Sequence, residues 1–256
     1  MSVRLASRLA GVAGLALAAL PFAALPGAAD TALPRAEVEA IVREYLLANP
    51  EVIAEAMQAL EKKQAAEAAA EQARVIQKSG SILFDSTRQV VLGNPKGDVT
   101  IVEFFDYNCG YCKRAMADMI GLVERDPQLR VVLKEFPVLG PGSTEAAKVA
   151  VAVNRIAPEK YLDFHRKLMS TRGQIDGAKA TEAATSVGIA AAALEKAMAD
   201  KEVAATLEEV YGLASLLGVT GTPSWVIGNE VVAGAIGIPK LQARIADARC
   251  TTTKKC

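Results

Sequence analysis

The spacing of apolar residues changes along the chain, and the changes predict where strands give way to helices. Residues 99–104 are rich in β-branched residues, which is typical of a buried strand. From Ala115 to Val123 the apolar positions recur at helical spacing, and Asp126-Pro127 ends that pattern. A second strand is predicted from Leu129 to Phe136. A strand–helix–strand unit of this length predicts a parallel pair of strands joined by a right-handed crossover.

A long stretch without strand character follows and predicts a helical insertion at about residues 143–217. Ser143 is predicted to cap its first helix, which ends at Ile156, and Pro158 is predicted to start the next, to about Ser170. Later helices are predicted over about 179–187, 190–199 and 203–217.

Shorter segments complete the predicted domain. Residues 81–93 are predicted to form a connector that contains an edge strand, and Gly93 to Asp98 is predicted to form a cluster of turns. Two further strands are predicted at 225–227 and 231–232, and a closing helix at 238–248.

The first 29 residues have the pattern of a signal peptide. They contain no acidic residue, two early arginines (Arg4 and Arg8) and an apolar run from Leu9 to Leu20, followed by Gly27-Ala28-Ala29. A membrane anchor is the weaker alternative, because prolines interrupt the run before it reaches spanning length. Cleavage after about Ala29 is therefore expected to give an exported, soluble protein of the periplasm.

Residues 34–78 predict two helices whose apolar faces lack a partner within the segment. Asn49 is the predicted N-cap of the second helix, with Pro50 as its first residue and Gly80 at its end. Neither helix carries enough apolar area for a core of its own. Folding back onto the rest of the chain, acting as a solvated spacer and self-association are the alternatives, and self-association is favoured. The apolar faces consist of Val38, Ile41, Val42 and Tyr45, then of Ile53, Met57 and Leu60.

The motif that carries chemistry is a Cys-x-x-Cys pair, Cys109 and Cys112, at the predicted junction between strand and helix. Unpaired N–H groups and the positive end of the helix macrodipole favour a thiolate at Cys109. The spacing brings the two sulfurs close enough to bond, and it lets Cys112 attack a mixed disulfide on Cys109. A structural zinc site requires four ligands. The sequence has no second Cys/His pair at suitable spacing, which disfavours such a site. The pattern predicts thiol–disulfide exchange, with a plain structural disulfide or metal binding as alternatives.

The residues around this pair resemble the DsbA family of thioredoxin-fold oxidoreductases. The resemblance covers about residues 81–248 and rests on Glu103–Cys112, on Leu133–Gly140 and on Thr222-Pro223. It implies an α/β (α+β) thioredoxin fold with a helical insertion, in which Thr222 and a cis Pro223 position the substrate. Gly110 and Tyr111 are also expected to position the substrate; like Thr222, they differ from the best-known oxidases and look like the disulfide isomerases. With its N-terminal helical segment the chain is most similar to the suppressor of copper sensitivity protein C (ScsC) group, which implies a trimer.

Three titratable residues within apolar stretches have open roles. Glu103 and Lys134 lie in neighbouring predicted strands, either as solvated strand ends or as tuning groups near the disulfide, a role that the resemblance favours for the acid. His165 is the only histidine of the chain. It shares a helical face with Tyr161, Phe164 and Leu168, so a packed structural histidine is favoured over a proton shuttle.

The remaining cysteines, Cys250 and Cys256, lie at the C-terminal tail and favour a small structural disulfide. A second redox pair and free thiols for a metal are the alternatives.

The chain carries 29 Lys and Arg against 29 Asp and Glu, so loss of Arg4 and Arg8 leaves a charge of about −2. That balance gives no argument for nucleic acid or an anionic membrane as a partner.

The sequence thus predicts three segments: a signal peptide (1–29), a helical oligomerisation segment (30–80) and a DsbA-type catalytic domain (81–256). The predicted function is an exported thiol–disulfide oxidoreductase, as an isomerase or reductase of misoxidised proteins. A dithiol oxidase is one alternative, and a protein that binds Cu(I) through the same thiols is the other. Expected partners are cysteine-containing exported proteins, a membrane redox partner and further copies of the chain. No cofactor is expected beyond the Cys109–Cys112 pair.

Overall fold

A computed structural model describes residues 33–253 of the chain, the side chains of residues 252 and 253 excepted. The predicted signal peptide and Cys256 lie outside the described residues. The chain divides into two compact units at residues 57 and 58. The boundary therefore falls inside a helix, well before the predicted boundary at residue 80.

The first unit consists of helix α1 (Arg35–Ala48) and the beginning of helix α2 (Glu51–Lys78). No residue of α1 is buried. The two helices meet at Asn49-Pro50, within one residue of the predicted start. The predicted apolar residues of α1, Val38, Ile41, Val42 and Tyr45, are all exposed.

A mixed five-stranded sheet forms the centre of the second unit. Its strands are β1 (Val90–Gly93), β2 (Val99–Phe105), β3 (Leu129–Glu135), β4 (Ser224–Ile227) and β5 (Glu230–Ala233). The order is β1-β3-β2-β4-β5, in which only β2 and β3 are parallel. The parallel pair and the predicted thioredoxin fold are confirmed.

Helices surround this sheet and supply the insertion between β3 and β4. Three short departures from the prediction occur: residues 80–84 form helix α3 (Gly80–Phe84), Pro158–Lys160 form a 3-10 helix ahead of the next α-helix, and the first helix of the insertion begins at Pro141 with Gly140 at its N-cap. Ser143 therefore lies inside the first turn and is not the cap. The other helices are α4 (Gly110–Arg125), α5 (Pro141–Ile156), α6 (Tyr161–Ser170), α7 (Gly177–Ser186), α8 (Ala191–Met198), α9 (Lys201–Leu217) and α10 (Ile238–Thr253).

The alternation of side chains along β2 separates two hydrophobic cores on the two faces of the sheet. Ile101 and Phe105 belong to the larger core, which contains residues of α4, α10 and the helical insertion. Val102 and Phe104 belong to the smaller core, where Ile76 of α2 packs with residues of α9. The C-terminal part of α2 is therefore structural in the second unit, which explains why the boundary precedes residue 80.

Candidate redox site

The two cysteines of the motif begin helix α4, directly after the loop that follows β2. Cys109 is the N-cap residue, and its Sγ accepts a hydrogen bond from the backbone N–H of Cys112 at 3.4 Å. Both residues are free thiols. Cys109 is 6% exposed whereas Cys112 is fully buried. The strand-to-helix junction predicted for the pair is confirmed, and Cys109 is the sulfur that a substrate can reach.

The loop before β4 meets the redox site. The Thr222–Pro223 peptide bond is cis, as predicted. The thiol of Cys109 donates a hydrogen bond to the backbone oxygen of Thr222 at 3.2 Å. Residues separated by more than a hundred positions in sequence thus meet at one sulfur.

The dipeptide between the cysteines faces solvent. The side chain of Tyr111 is 59% exposed, and the guanidinium carbon of Arg114 lies 4.5 Å from the centre of its ring. A Cβ atom built on Gly110 would have no neighbour within 4 Å. Packing therefore does not require glycine at this position.

Glu103 is buried in the middle of β2, on the sheet face that α4 covers. Burial first, and then the charges of Cys109 and Asp118, raise the pKa of Glu103 to about 8. Burial and then the charge of Glu103 also raise the pKa of the Cys112 thiol. The buried acid and the two cysteines therefore interact electrostatically.

Lys134 lies on the other face of the sheet from Glu103. In the parallel register Lys134 is paired with Phe104, whereas Glu103 is paired with Leu133. The Nζ of Lys134 donates to the backbone oxygen of Ile82 at 2.9 Å, and it lies 4.0 Å from Glu209 of α9. Burial lowers its pKa to about 8, although the carboxylate of Glu209 acts in the opposite direction. This placement corrects the expectation that Lys134 acts beside Glu103 at the thiols.

Asp106 is not among the predicted site residues, yet it holds the redox loop in place. One carboxylate oxygen accepts from the backbone N–H of Asn108 and from the hydroxyl of Ser143, at 2.7 and 2.8 Å. The other accepts from the backbone N–H groups of Val138 and Leu139, at 2.8 and 3.0 Å. Its place between the strand and the cysteines was the available signal, but Val138, Leu139 and Ser143 lie far along the chain.

Glu135 of β3 is another buried acid that is not among the predicted site residues. Its Oε1 accepts hydrogen bonds from the hydroxyls of Tyr161 at 2.7 Å and of Tyr107 at 3.2 Å. Burial raises the pKa of Glu135, and it lowers that of His165 to about 3. His165 is buried against these rings, so the preference for a packed histidine agrees with its environment. An acid within an apolar strand was the signal, shared with Glu103.

Cys250 lies in α10 and is disulfide-bonded. Its predicted partner, Cys256, lies outside the described residues, so the pairing of these two cysteines stays a prediction.

Among residues 33–253, no group of three or more His, Cys, Asp and Glu side chains could hold a metal ion. In the same range, no helix is long and apolar enough to cross a membrane.

Two family models match the chain. The model of the DSBA-like thioredoxin domain matches residues 100–246, which include the cysteine pair and the cis-proline loop. The chain belongs to the family of DSBA-like thioredoxin domains. The model of the copper resistance protein ScsC N-terminal domain matches residues 35–67, which cover α1 and the first part of α2. Family membership and the thiol pair together identify the site as one of the thiol–disulfide oxidoreductase type.

Solved structures agree with this assignment. A thioredoxin-like oxidoreductase from Silicibacter pomeroyi is 43% identical with a TM-score of 0.63, over 66% of this chain and 96% of that one. Proteus mirabilis ScsC in a transitional conformation is 29% identical with a TM-score of 0.65, over 87% of this chain and 100% of that one. The similarity to ScsC thus extends beyond the thioredoxin domain.

The similar curated proteins are more distant. Disulfide bond formation protein D of Bacillus subtilis is 25% identical over 154 residues, which are 56% of this chain and 69% of that protein. Na(+)/H(+) antiporter NhaA 1 of Salinispora arenicola is 25% identical over 166 residues, which are 64% of this chain. The chain spans 25% of the length of that antiporter.

Proposed function

We propose that the protein is an exported thiol–disulfide oxidoreductase that acts on cysteine-containing proteins in the periplasm. One observation carries the proposal: Cys109 has its Sγ 3.2 Å from the backbone oxygen of Thr222, beside cis-Pro223, with the buried Cys112 one turn further along α4. The signal-peptide pattern supports export, and a similar solved structure from Salmonella enterica is described as a periplasmic thioredoxin-like protein.

The reaction follows from the two thiols. The thiolate of Cys109 attacks one sulfur of a substrate disulfide, forms a mixed disulfide and releases the other substrate sulfur as a thiolate. Cys112 then loses its proton and attacks the Sγ of Cys109, which releases the second substrate thiol. The substrate disulfide is reduced by two electrons and the Cys109–Cys112 pair is oxidised. The buried Glu103 is suited to accept the proton of Cys112 when it is ionised, and its pKa of about 8 makes the carboxylate the minor form at neutral pH.

We further propose that isomerisation of wrong disulfides is the main activity and that several copies associate through the N-terminal helices. The Gly110-Tyr111 dipeptide, Thr222 and the ScsC-type match at residues 35–67 support this direction. The exposed apolar face of α1 supports association. Several sites around a shared space would raise the effective concentration for each further attack on a bound substrate.

Removal of residues 30–67 tests both the isomerase activity and the association, since it spares Ile76 in the core of the second unit. We expect a folded monomer whose Cys109–Cys112 pair still exchanges. It should refold a scrambled-disulfide substrate much less well, while its oxidation of dithiols is kept or increased. Sedimentation and a scrambled-substrate assay measure the two properties. A full-length monomer, or undiminished isomerisation by the truncated form, would contradict the role of the segment.

A point variant gives a sharper version of this test. Ile41→Glu places a charge on the apolar face of α1, whereas Ala40→Glu places the same charge about opposite that face. Both positions are exposed, so neither change removes packing within the chain. Dissociation by Ile41→Glu but not by Ala40→Glu is the expected result.

Binding of Cu(I) is a second candidate function. The family model that matches the N-terminal helices is named for copper resistance, and two thiolates are soft donors. Cys109 and Cys112 would hold the ion in the reduced protein. Copper titration and disulfide exchange should be measured on one preparation of the wild type and of Cys109→Ser. Retention of tight Cu(I) binding by Cys109→Ser would separate copper from this site.

A further inference from the structure

The loop of residues 171–175, which joins α6 to α7, lies directly beside the redox motif. The side-chain amide of Asn108 donates to the backbone oxygen of Ile175 at 2.9 Å and accepts from its N–H at 2.7 Å. The ammonium group of Lys113 donates to the backbone oxygen of Thr171 at 2.8 Å. Both ends of the loop are therefore bound to residues that flank the cysteine pair.

This loop gathers positive charge. Lys113 lies one turn after Cys109, and its backbone N–H donates to the backbone oxygen of Cys109. The ammonium group of Lys179 is bound by the backbone oxygens of Gln174 and Arg172, at 2.6 and 3.3 Å. Lys113 and Lys179 thus bind backbone oxygens of adjacent residues of the loop, and burial and then the charge of Lys179 lower the pKa of Lys113. Arg172 itself is exposed on the loop.

In the described part of the chain, these cations form no ion pair with a carboxylate. Among the ion pairs of residues 33–253, none involves Lys113, Arg172 or Lys179. Two nearby acids are engaged elsewhere: Asp176, the N-cap of α7, accepts from the backbone N–H of Lys179, and Glu145 of α5 accepts from that of Gly177. The surface beside Cys109 therefore has unpaired positive charge.

An apolar rim adjoins the same motif. The side chains of Tyr111, Val138 and Leu139 are exposed. Their positions are fixed, because Tyr111 lies between the cysteines and Asp106 binds the N–H groups of the other two. The reactive thiol is thus flanked by exposed apolar groups and by unpaired cations.

We propose that the site selects polypeptide substrates with acidic side chains within three residues of the reacting cysteine, bound by Lys113, Arg172 and Lys179. The proposal rests on the exchange activity proposed above and specifies its substrate class. Opposite charges across an interface chiefly raise the association rate and the specificity. Two exposed ion pairs of ordinary strength correspond to a rate ratio of about threefold to tenfold.

The test uses the reduced, full-length wild type and a set of peptides. Each peptide has one cysteine joined by a disulfide to a chromophoric aromatic thiol, and Asp, Asn or Lys occupies the flanking positions. Attack by Cys109 on the peptide sulfur releases the coloured thiol, so its appearance gives a second-order rate constant. The rate with dithiothreitol, measured for each peptide, corrects for the intrinsic reactivity of its disulfide.

After this correction the Asp peptide should react about threefold to tenfold faster than the Asn peptide at low salt, and the Lys peptide should be slowest. The difference should shrink in about 0.5 M salt, because exposed charges are then screened. Equal rates for the three peptides, or a preference for Lys, would overturn the proposed selectivity and leave exchange intact. Absence of reaction with every peptide would instead overturn the proposed function, and the selectivity with it.

Variants locate the preference. Arg172→Gln and Lys113→Gln should each reduce the Asp-to-Asn rate ratio, whereas Lys113→Arg should keep it. Lys196→Gln, at an exposed position of α8, is the matched control and should leave the ratio unchanged. The side chain of Arg172 makes no hydrogen bond within residues 33–253, so its replacement tests charge without loosening the loop. Ratios that stay at the wild-type value in both Gln variants would remove these residues from substrate binding.

Discussion

The hydroxyl of Tyr107 lies 3.1 Å from Nδ1 of His165, so a residue of the redox loop is joined to helix α6 of the insertion. Both side chains are buried, and the same hydroxyl reaches the carboxyl of Glu135. A charged imidazole at this place would be removed from water, and burial accordingly lowers the pKa of His165 to about 3.

We therefore predict that His165 stays neutral in the folded protein from pH 8 down to about 4.5. The chain has one histidine, so a single set of imidazole signals in the NMR spectrum reports it. These signals should not shift over that range, whereas the urea-unfolded chain should titrate near 6.5. The unfolded state then binds more protons at this position, so the contribution of His165 to the free energy of unfolding should fall as the pH decreases from 6.5 towards 3. A native midpoint near 6.5 would contradict the buried network.

The buried thiol is predicted to be the unreactive one. Burial, and then the charge of Glu103, raise the pKa of Cys112, and the thiolate is the form that reacts with alkylating agents. In the reduced protein at pH 8, Cys112 should be alkylated at least about 100-fold more slowly than Cys109. Mass spectrometry after short exposures to iodoacetamide measures both sites.

The unfolded chain supplies the control for this experiment, because the two cysteines should react at similar rates in urea. Faster labelling of Cys112 than of Cys109 in the folded protein would reverse the roles of nucleophile and resolving thiol.

Glu103 is predicted to make the reduced protein less stable as the pH rises. Its pKa is raised from an ordinary value of 4.5 to about 8 by burial first. Between these values the folded state binds the proton and the unfolded state does not, so the free energy of unfolding falls as the pH rises. Glu103→Gln cannot ionise and should lack this loss, which amounts to about 4 kcal/mol by pH 9.

Urea unfolding of wild type and variant at pH 5 and pH 9 measures the difference. Trp225, the only tryptophan, is fully buried in β4 and provides the fluorescence signal. Glu195→Gln, at an exposed acid of α8, should keep the wild-type pH dependence. The same pH dependence in Glu103→Gln and wild type would show that Glu103 ionises normally.

Ile76 is predicted to be part of the core of the second unit although it belongs to α2. It is 1% exposed and packs with Val102 and Phe104 of the sheet. Ile76→Ala should lower the free energy of unfolding by about 2–4 kcal/mol, since it leaves a cavity in a packed core. Gln77→Ala changes the next, exposed residue of the same helix and should have little effect. Equal stability of the two variants would place the boundary near residue 80 after all.

Local patterns in the sequence were sufficient for much of this architecture. The β-branched run of β2 and the helical period of α4 placed the cysteines at a strand-to-helix junction, because both periods depend on neighbouring residues. The helices of the insertion followed in the same way, and the Thr222-Pro223 loop followed from resemblance. The main error from local pattern concerned the first helix of the insertion. This helix begins at Pro141, and the hydroxyl of Ser143, which was the predicted cap, donates to Asp106 instead.

Contacts between distant segments were decided only by the tertiary structure. Sequence placed Glu103 and Lys134 in neighbouring strands, but the register of β2 on β3 determines that they occupy opposite faces. Apart from Asn108, the hydrogen-bond partners of the Asp106 and Glu135 carboxyl groups lie more than twenty-five positions away. The C-terminal part of α2 is held by Ile76, which packs in the core of the second unit, whereas α1 has no buried residue. Periodicity determines which side chains share a face, whereas packing determines what that face meets.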